Sequence, residues 1–507
     1  MEVLLNKGKP QVLIIAEGTY PYIRGGVSTW IHDLINGLKD FTFGVVFLGG
    51  RREDYEDIKY TLPDNLVYLS TAYLFEEKEQ PKPKHIRGED AAFELIRRMH
   101  KNFKNGSMSV PEEILSYRFF TEVVKHEDFL YSKKAWEHIV DMYSNYAIVE
   151  PFVDYFWNIR NLHTPLWVVA DVAKRMEGLD FDIIHSPSTG YAGFLSSFLK
   201  RSSGKPFILT EHGIYTRERK IDLLSAEWLV DKRLFIHKYT GDVSAMRRVW
   251  IEFFIRLGSI AYSSANVIVS LFETAKRIQI SYGADPQKCV VIPNGVDIGL
   301  YSEALKNRQE PLPKVVALIG RVVPIKDVKT FIKAIKLLVE KIPDAEGWVV
   351  GPTDEDPEYY EECLNLVKVL GLENKVKFLG FQRTVEILPK VGVLTLTSIS
   401  EGMPFIVLEG FAGGVPCVAT DVGSCRQLIY GGLNQEDVAL GRAGEVVPVR
   451  DANALAESYA RLLTDQTFWK NCQEVALKRV RRFYSRETFL ENYKNLYGGY
   501  LNGRHSL

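Results

Sequence analysis

Little in this sequence is extreme, and each thing it lacks excludes a class of protein. Cysteine is scarce. Cys289, Cys363, Cys417, Cys425 and Cys472 are odd in number and scattered through 507 residues. With no Cys-x-x-Cys pair and no His/Cys cluster, zinc ribbons and disulfide-stapled secreted scaffolds drop out. Reduced thiols in a cytoplasmic chain without a metal site are expected. Charge of one sign is lacking as well: 63 Lys+Arg face 64 Asp+Glu, for a net charge of −1. Nucleic acid is therefore not the expected partner, because binding a phosphate backbone usually demands a basic excess. No apolar run approaches the roughly 18 residues of a spanning helix. The opening MEVLLNKGKPQVLIIAEG has too short an apolar stretch for a signal peptide and passes into patterned sequence at Glu17. No solenoid-period repeat and no low-complexity tract occurs. RRMHKNFK, KRLFIHK and KRVRRF are basic patches of the kind that usually form solvated helix faces, so recruitment to a membrane would be by docking.

What is present is an ordinary globular mixture, 46% hydrophobic and 25% charged, in a chain too long for one core. Two halves share one grammar. Val12 to Ile15 is an apolar run of strand length, followed by TYPYIRGGVS and then Val27, Trp30, Ile31, Leu34, Ile35 and Leu38 at helical spacing. FTFGVVFLGG, NLVYLS, FDIIHSP, KPFILTEHG and ANVIVSL read as further strands. After the polar, Pro-containing ALKNRQEPLPK (304–314), the pattern restarts with KVVALIG, EGWVVGP, KVKFLG, VLTLTS and VPCVAT. Short buried strands alternating with helices predict α/β architecture: two doubly wound parallel-sheet domains, at 1–303 and 314–483. Residues 72–165 fit neither unit and read as a mostly helical insertion in the first. A helical tail, 484–507, closes the chain.

In open parallel sheets, ligands bind beyond the carboxyl ends of the strands. Those ends hold Gly25-Gly26, Glu211-His212-Gly213, Gly320-Arg321 with Lys326, Gly351-Pro352, Gly380-Phe381-Gln382, and EGMPFIVLE from Glu401 to Glu409. Arg321 and Lys326 are donors only, five residues apart between a strand and a helix, and suit a pyrophosphate. Paired glycines entering a helix let backbone N–H groups approach an anion, or simply make a turn that needs positive φ. Asp242, His185, Glu211 and His212 have no spacing that identifies a role. In EGMPFIVLE, Pro404 suits a helix start. The N–H groups of Phe405, Ile406 and Val407 would then face an anion, with Glu401 in the preceding loop and Glu409 about a turn and a half inside. Acids accept hydrogen bonds from hydroxyls, so a diphosphate with hydroxyls on both sides, a nucleoside diphosphate sugar, fits this segment.

These residues resemble a known family. EGMPFIVLE is similar to the E-x7-E motif of retaining family-4 glycosyltransferases, and Gly320-Arg321 with Lys326 and IPNGVD (Ile292 to Asp297) occur in that family's order. TYPYIRGGVSTWIHDLI and TEHGIYTRE resemble a subgroup that builds an exopolysaccharide. The resemblance implies a GT-B fold, two Rossmann-like domains facing across a cleft, with the C-terminal helix returning to the first. It implies transfer of a hexosyl group from UDP-glucose or a related UDP-sugar to a growing polysaccharide, with retention. No cofactor and no metal are implied, and inner-membrane export proteins are implied partners. Arg321 and Lys326 would clamp the pyrophosphate and Glu409 would hold the ribose. Glu401 and His212 would meet the transferred sugar. Backbone of Gly402, Met403, Pro404, Phe405, Ile406 and Val407 would hold sugar and phosphates, main chain near Phe381 and Gln382 would meet the base, and Gly25-Gly26 would line the site. Two rival readings stay open: a sugar-nucleotide epimerase of the same fold, and a non-catalytic nucleotide-sugar sensor in an export complex.

Overall fold

The computed structural model describes residues 1–76, 85–104, 110–147, 150–225 and 244–503. Asp242 and the stretch KRLFIHK lie outside them. Contacts divide the chain into a first unit, Met1–Ser270 with Lys276–Val290 and Lys494–Leu507, and a second, Leu271–Ala275 with Val291–Tyr493. The helix Ile298–Lys306 thus belongs to the second unit.

The first unit is built on eight strands: β1 Glu2–Asn6, β2 Val12–Glu17, β3 Phe43–Gly49, β4 Leu66–Tyr73, β5 Ile183–Ser186, β6 Phe207–Glu211, β7 Val267–Ser270 and β8 Cys289–Val291. Their order is β1-β4-β3-β2-β5-β6-β7-β8. The run from β4 to β7 is parallel, and β1 is added antiparallel to β4. All seven residues of β3 are buried, as expected of a strand covered on both faces. β1 differs: it is mostly exposed, with no apolar alternation to announce it.

Between β4 and β5 come helices Asp90–Lys104, His126–Tyr131, Lys133–Tyr146 and Phe152–Arg175. The helical character expected of the insertion is there, but its last helix runs past residue 165 to Arg175 and packs on the sheet-covering helix Tyr191–Ser203.

The second sheet has six parallel strands in the order β11-β10-β9-β12-β13-β14. They are β9 Val315–Ile319, β10 Glu346–Val350, β11 Val376–Phe378, β12 Val393–Leu396, β13 Cys417–Thr420 and β14 Gly444–Val447. Helix Val328–Lys341 buries Val328, Phe331, Ile332, Ile335 and Leu338, the predicted apolar stripe, in this unit's core. The chain order reverses between β9 and β12, whose carboxyl ends lead into the Arg321 loop and EGMPFIVLE. That reversal is where ligands of doubly wound sheets bind. All five cysteines are free and buried. Among the described residues, no helix is long and apolar enough to cross a membrane.

Candidate active site

In the second unit, the loop after β12 is tied to main-chain carbonyls of the loop after β9. Ile399 N–H donates to the Ile325 carbonyl at 2.8 Å, and Thr397 Oγ1 donates to the Lys326 carbonyl at 2.7 Å. This places Lys326 Nζ 2.5 Å from Glu401 Oε1, which also accepts from Ser398 Oγ at 2.6 Å. Asp327 holds the turn between them. It sits at φ 47° and caps helix Val328–Lys341, accepting from Thr330 N–H at 3.3 Å and Thr330 Oγ1 at 2.7 Å. Arg321 lies on the same loop, more exposed, with Nη1 2.5 Å from Glu355 Oε1.

The glycines at the strand ends let these loops approach. Gly351, at φ +153°, comes so near that a Cβ would lie 2.0 Å from the Gly320 carbonyl oxygen. Gly423, at φ +53°, would place a Cβ 2.4 Å from the Glu401 carbonyl oxygen. No side chain fits at either position.

EGMPFIVLE begins a helix, Phe405–Ala412, with Pro404 in the extended capping position, one residue before the place the sequence suggests. Val407 N–H donates to the Pro404 carbonyl at 3.2 Å. The expected row of three outward amides is therefore shortened to Phe405 and Ile406, which helical geometry leaves without a carbonyl. Met403 is buried, and its Sδ accepts from Asn294 N–H of IPNGVD at 3.4 Å.

Glu409 lies apart from Glu401. It is half-buried, and desolvation raises its pKa while hydrogen bonding to Tyr301 and Thr384 opposes the rise. Tyr301 and Thr384 hydroxyls are themselves 2.8 Å apart. Phe381 is 77% exposed, and Gln382 donates to the Leu379 carbonyl at 3.1 Å, so this loop offers main chain and a flat ring to solvent. Sequence reasoning missed Tyr301, Thr384, Ser398 and Glu355. They are ordinary polar residues that no local pattern marks, and all but Ser398, three residues from Glu401, are distant in sequence from the groups they touch.

In the first unit, Gly25 and Gly26 start the helix Gly26–Gly37. Gly25 has extended backbone (φ 173°), and neither glycine lies in the left-handed region. The turn explanation is thereby removed. A Cβ at either position would meet nothing within 4 Å, so open space lies over this helix start.

Trp30 of that helix packs edge-on against His212, ring centroids 4.6 Å apart. Burial pushes the His212 pKa down to about 3, which keeps the ring neutral, and its Nε2 has no hydrogen-bond partner among the described residues. His212 lines a cavity of about 390 Å³ with Glu17, Thr19, Tyr215 and Arg219. Glu17, which ends β2, accepts from Ala192 N–H at 2.9 Å and Tyr215 Oη at 3.0 Å.

Glu211 and His185 turn inward instead. Glu211 accepts from Tyr262, Gln279 and Thr189, and burial raises its pKa to about 7. His185 bridges Tyr497 and Thr210. Both are core polar groups.

Residues 10–287 match the family described as Domain of unknown function (DUF3492), and residues 313–465 match Glycosyl transferases group 1. An exopolysaccharide phosphotransferase of Streptomyces coelicolor is 29% identical over 221 residues, 43% of this chain and 22% of that protein. The UDP-Gal:alpha-D-GlcNAc-diphosphoundecaprenol alpha-1,3-galactosyltransferase of Escherichia coli is 27% identical over 323 residues, 59% of this chain and 72% of that one. A D-inositol 3-phosphate glycosyltransferase of Corynebacterium glutamicum is 29% identical over 232 residues, 42% of this chain and 53% of its own. The chain thus spans about half or less of two of these three relatives.

Among solved structures, Anabaena HepE in complex with UDP and glucose superposes with a TM-score of 0.59 at 16% identity, covering 96% of this chain and 99% of that one. Sucrose-phosphate synthase from Thermosynechococcus elongatus gives 0.60 at 15%, covering 98% and 100%. These likenesses show the fold: two Rossmann-like units of the GT-B class.

Proposed function

The chain belongs to the DUF3492 family, and we propose that it is a retaining glycosyltransferase that moves a hexosyl group from a UDP-sugar to a growing exopolysaccharide. The observation that carries this reading is the Lys326–Glu401–Ser398 cluster beside the start of helix Phe405–Ala412. One ammonium, one carboxylate and a helix amino end within a single strand-end loop pair suit a sugar joined to a diphosphate. The carboxylate takes hydroxyls, while the ammonium and the helix end take phosphate oxygens. The match of 313–465 to group-1 glycosyltransferases and the UDP in the HepE complex support the same reading. UDP-glucose is the donor proposed first. The segments TYPYIRGGVSTWIHDLI and TEHGIYTRE resemble those of PelF, the glycosyltransferase of Pel exopolysaccharide synthesis, and that role is the one proposed.

Breaking the sugar–phosphate bond leaves negative charge on the diphosphate, and fixed cations aimed at that charge lower the barrier. Lys326 exchanges Glu401 for a phosphate oxygen, and Arg321 exchanges Glu355. Freed of Lys326, Glu401 accepts from sugar hydroxyls. Glu409, held by Tyr301 and Thr384, faces the ribose. His212, neutral and with Nε2 unpartnered, accepts from or donates to a hydroxyl of the transferred sugar. With two cations and a helix end placed on the leaving group, the step is proposed to run without a metal. The cytoplasm, with the inner membrane's export proteins close by, is the proposed setting.

Incubation with UDP-glucose and an oligosaccharide acceptor tests this. Released UDP with a lengthened glycoside is the expected result. A new nucleotide sugar without acceptor would establish the epimerase instead, and saturable binding without turnover would establish the sensor.

A further inference from the structure

A cavity of about 560 Å³ lies among the insertion helices of the first unit, away from the strand-end loops. Its walls include Phe93, Met99, Phe120, Ile139, Met142 and Trp167. That volume falls within the roughly 300–1,000 Å³ of small-molecule sites. Met and Phe walls adapt to irregular hydrocarbon surfaces.

Three histidines run along this cavity, and their hydrogen bonds fix one another's tautomers. His163 Nδ1 is 2.8 Å from the Ile159 carbonyl oxygen and must donate to it. The His163 ring is buried and neutral, since burial holds its pKa down to about 4, so its Nε2 is an acceptor. His100 Nε2, 3.2 Å away, therefore donates to it. His100 is neutral for the same reason, which leaves its Nδ1 as an acceptor. His138 Nε2, 2.7 Å from His100 Nδ1, donates in turn. Burial also holds His138 neutral, its pKa lowered to about 4, so its Nδ1 carries a bare lone pair. His138 is only 5% exposed and lines the cavity, and this Nδ1 has no hydrogen-bond partner among the described residues. The row of rings begins at a backbone carbonyl and ends on an acceptor that asks for a donor. The same residues are not a metal centre: among the described residues, no group of His, Cys, Asp or Glu is arranged to hold one.

We infer that this cavity binds a hydrocarbon chain ending in a hydroxyl, a fatty or prenyl alcohol, with the chain against the apolar walls and the hydroxyl donating to His138 Nδ1. An alcohol satisfies the lone pair. An ether of the same chain cannot, because it has no proton to give. Leaving a buried acceptor unmet is costly enough to separate the two by about tenfold or more.

The test is calorimetric titration of the full chain with decan-1-ol, with geraniol, and with decyl methyl ether. Saturable binding of an alcohol, at least about tenfold tighter than the ether, is expected; the tighter alcohol tells a straight chain from a prenyl one. Met142→Trp fills the cavity and should abolish binding at an unchanged melting temperature. His138→Leu should keep binding but erase the preference for alcohol over ether. In the unaltered chain, the His138 Nδ1 nitrogen resonance should move on adding the alcohol and stay put with the ether. Equal affinity for alcohol and ether, binding that survives Met142→Trp, a preference that survives His138→Leu, or no saturable alcohol binding would each overturn the inference.

Discussion

Lys326 is bound to an acid of its own site, and this decides how its loss should read. Lys326→Ala removes a leaving-group cation and at the same time leaves Glu401 with Ser398 as its remaining partner. Turnover with UDP-glucose is expected to fall roughly 10²–10³-fold, the scale of removing one donor from a charge-stabilising site. Arg321→Ala should fall on the same scale through its own loss of phosphate contact. Its partner Glu355 is half exposed, so that change should leave the fold's stability untouched. Near-normal turnover in either variant takes that residue out of the mechanism.

Glu211 makes a different statement, about pH. Its unfolded pKa is near 4.5 and burial raises it to about 7 in the fold. Between those values the native state binds more proton than the unfolded one, so stability from this group is present below about 4.5 and is lost as pH rises through 7. The buried histidines run the other way. His185 and His212, lowered to about 3, lose stability as pH falls below their ordinary range. The difference in melting temperature between the unaltered chain and Glu211→Gln isolates the carboxyl. It should shrink steadily in the wild type's disfavour from pH 5 to 8; a difference constant across that range would show that Glu211 does not titrate there.

At the scale of the element, helix Gln466–Phe483 buries Trp469, Cys472, Ala476, Arg479 and Val480, and the arginine among them fastens it by hydrogen bonds. Arg479 Nε donates to Asp437 Oδ1 at 2.6 Å, and its other nitrogens reach the carbonyls of Leu428, Ile429, Asp437 and Gly441. Both charged side chains are fully buried. Arg479→Met would strand a buried carboxylate and orphan those carbonyls, at a cost of about 3–5 kcal/mol by urea unfolding. Asp437→Leu added to it should not restore the loss, because Asp437 also accepts from the N–H groups of Gly432 and Leu433. A loss below about 1 kcal/mol in the single variant would deny the fastening role.

Elements differ in how plainly the sequence announces them. β3 and β9 are continuous runs without a polar side chain, and β6 and β12 are mostly apolar, because both faces of the sheet are covered; such runs are read locally. β1 is mostly exposed and pairs antiparallel at an edge, β8 is three residues long, and β14 begins at a glycine with half-buried residues. None has an apolar period to detect. The site divides the same way. Arg321, Lys326, Glu401 and Glu409 stand in recognisable spacing at strand ends. The pairing of Lys326 with Glu401 spans 75 residues, and the Tyr301–Thr384 contact spans 83. Those partners are chosen by strand order, which places β12 beside β9, and strand order is not written in any one segment.

The whole molecule has two cores, so its unfolding need not be a single two-state transition. That turns a ligand panel into a test of where the donor sits as well as what it is. A ligand that binds only the native state stabilises by RT ln(1 + [L]/Kd), about 2.7 kcal/mol at a hundredfold excess over Kd. If the donor is a UDP-sugar held by Arg321, Lys326 and Glu409, UDP should protect the second unit. Slower hydrogen exchange is then expected in β9, β12 and helix Phe405–Ala412, with a smaller effect on β2 to β6. ADP and GDP at the same concentration should protect less, because the phosphates are shared and only the base differs. Equal protection by all three nucleotides would leave a diphosphate site without a uridine preference and remove UDP-glucose as the proposed donor. Protection confined to the first unit would instead displace the donor from EGMPFIVLE and leave Lys326 and Glu401 as a structural ion pair.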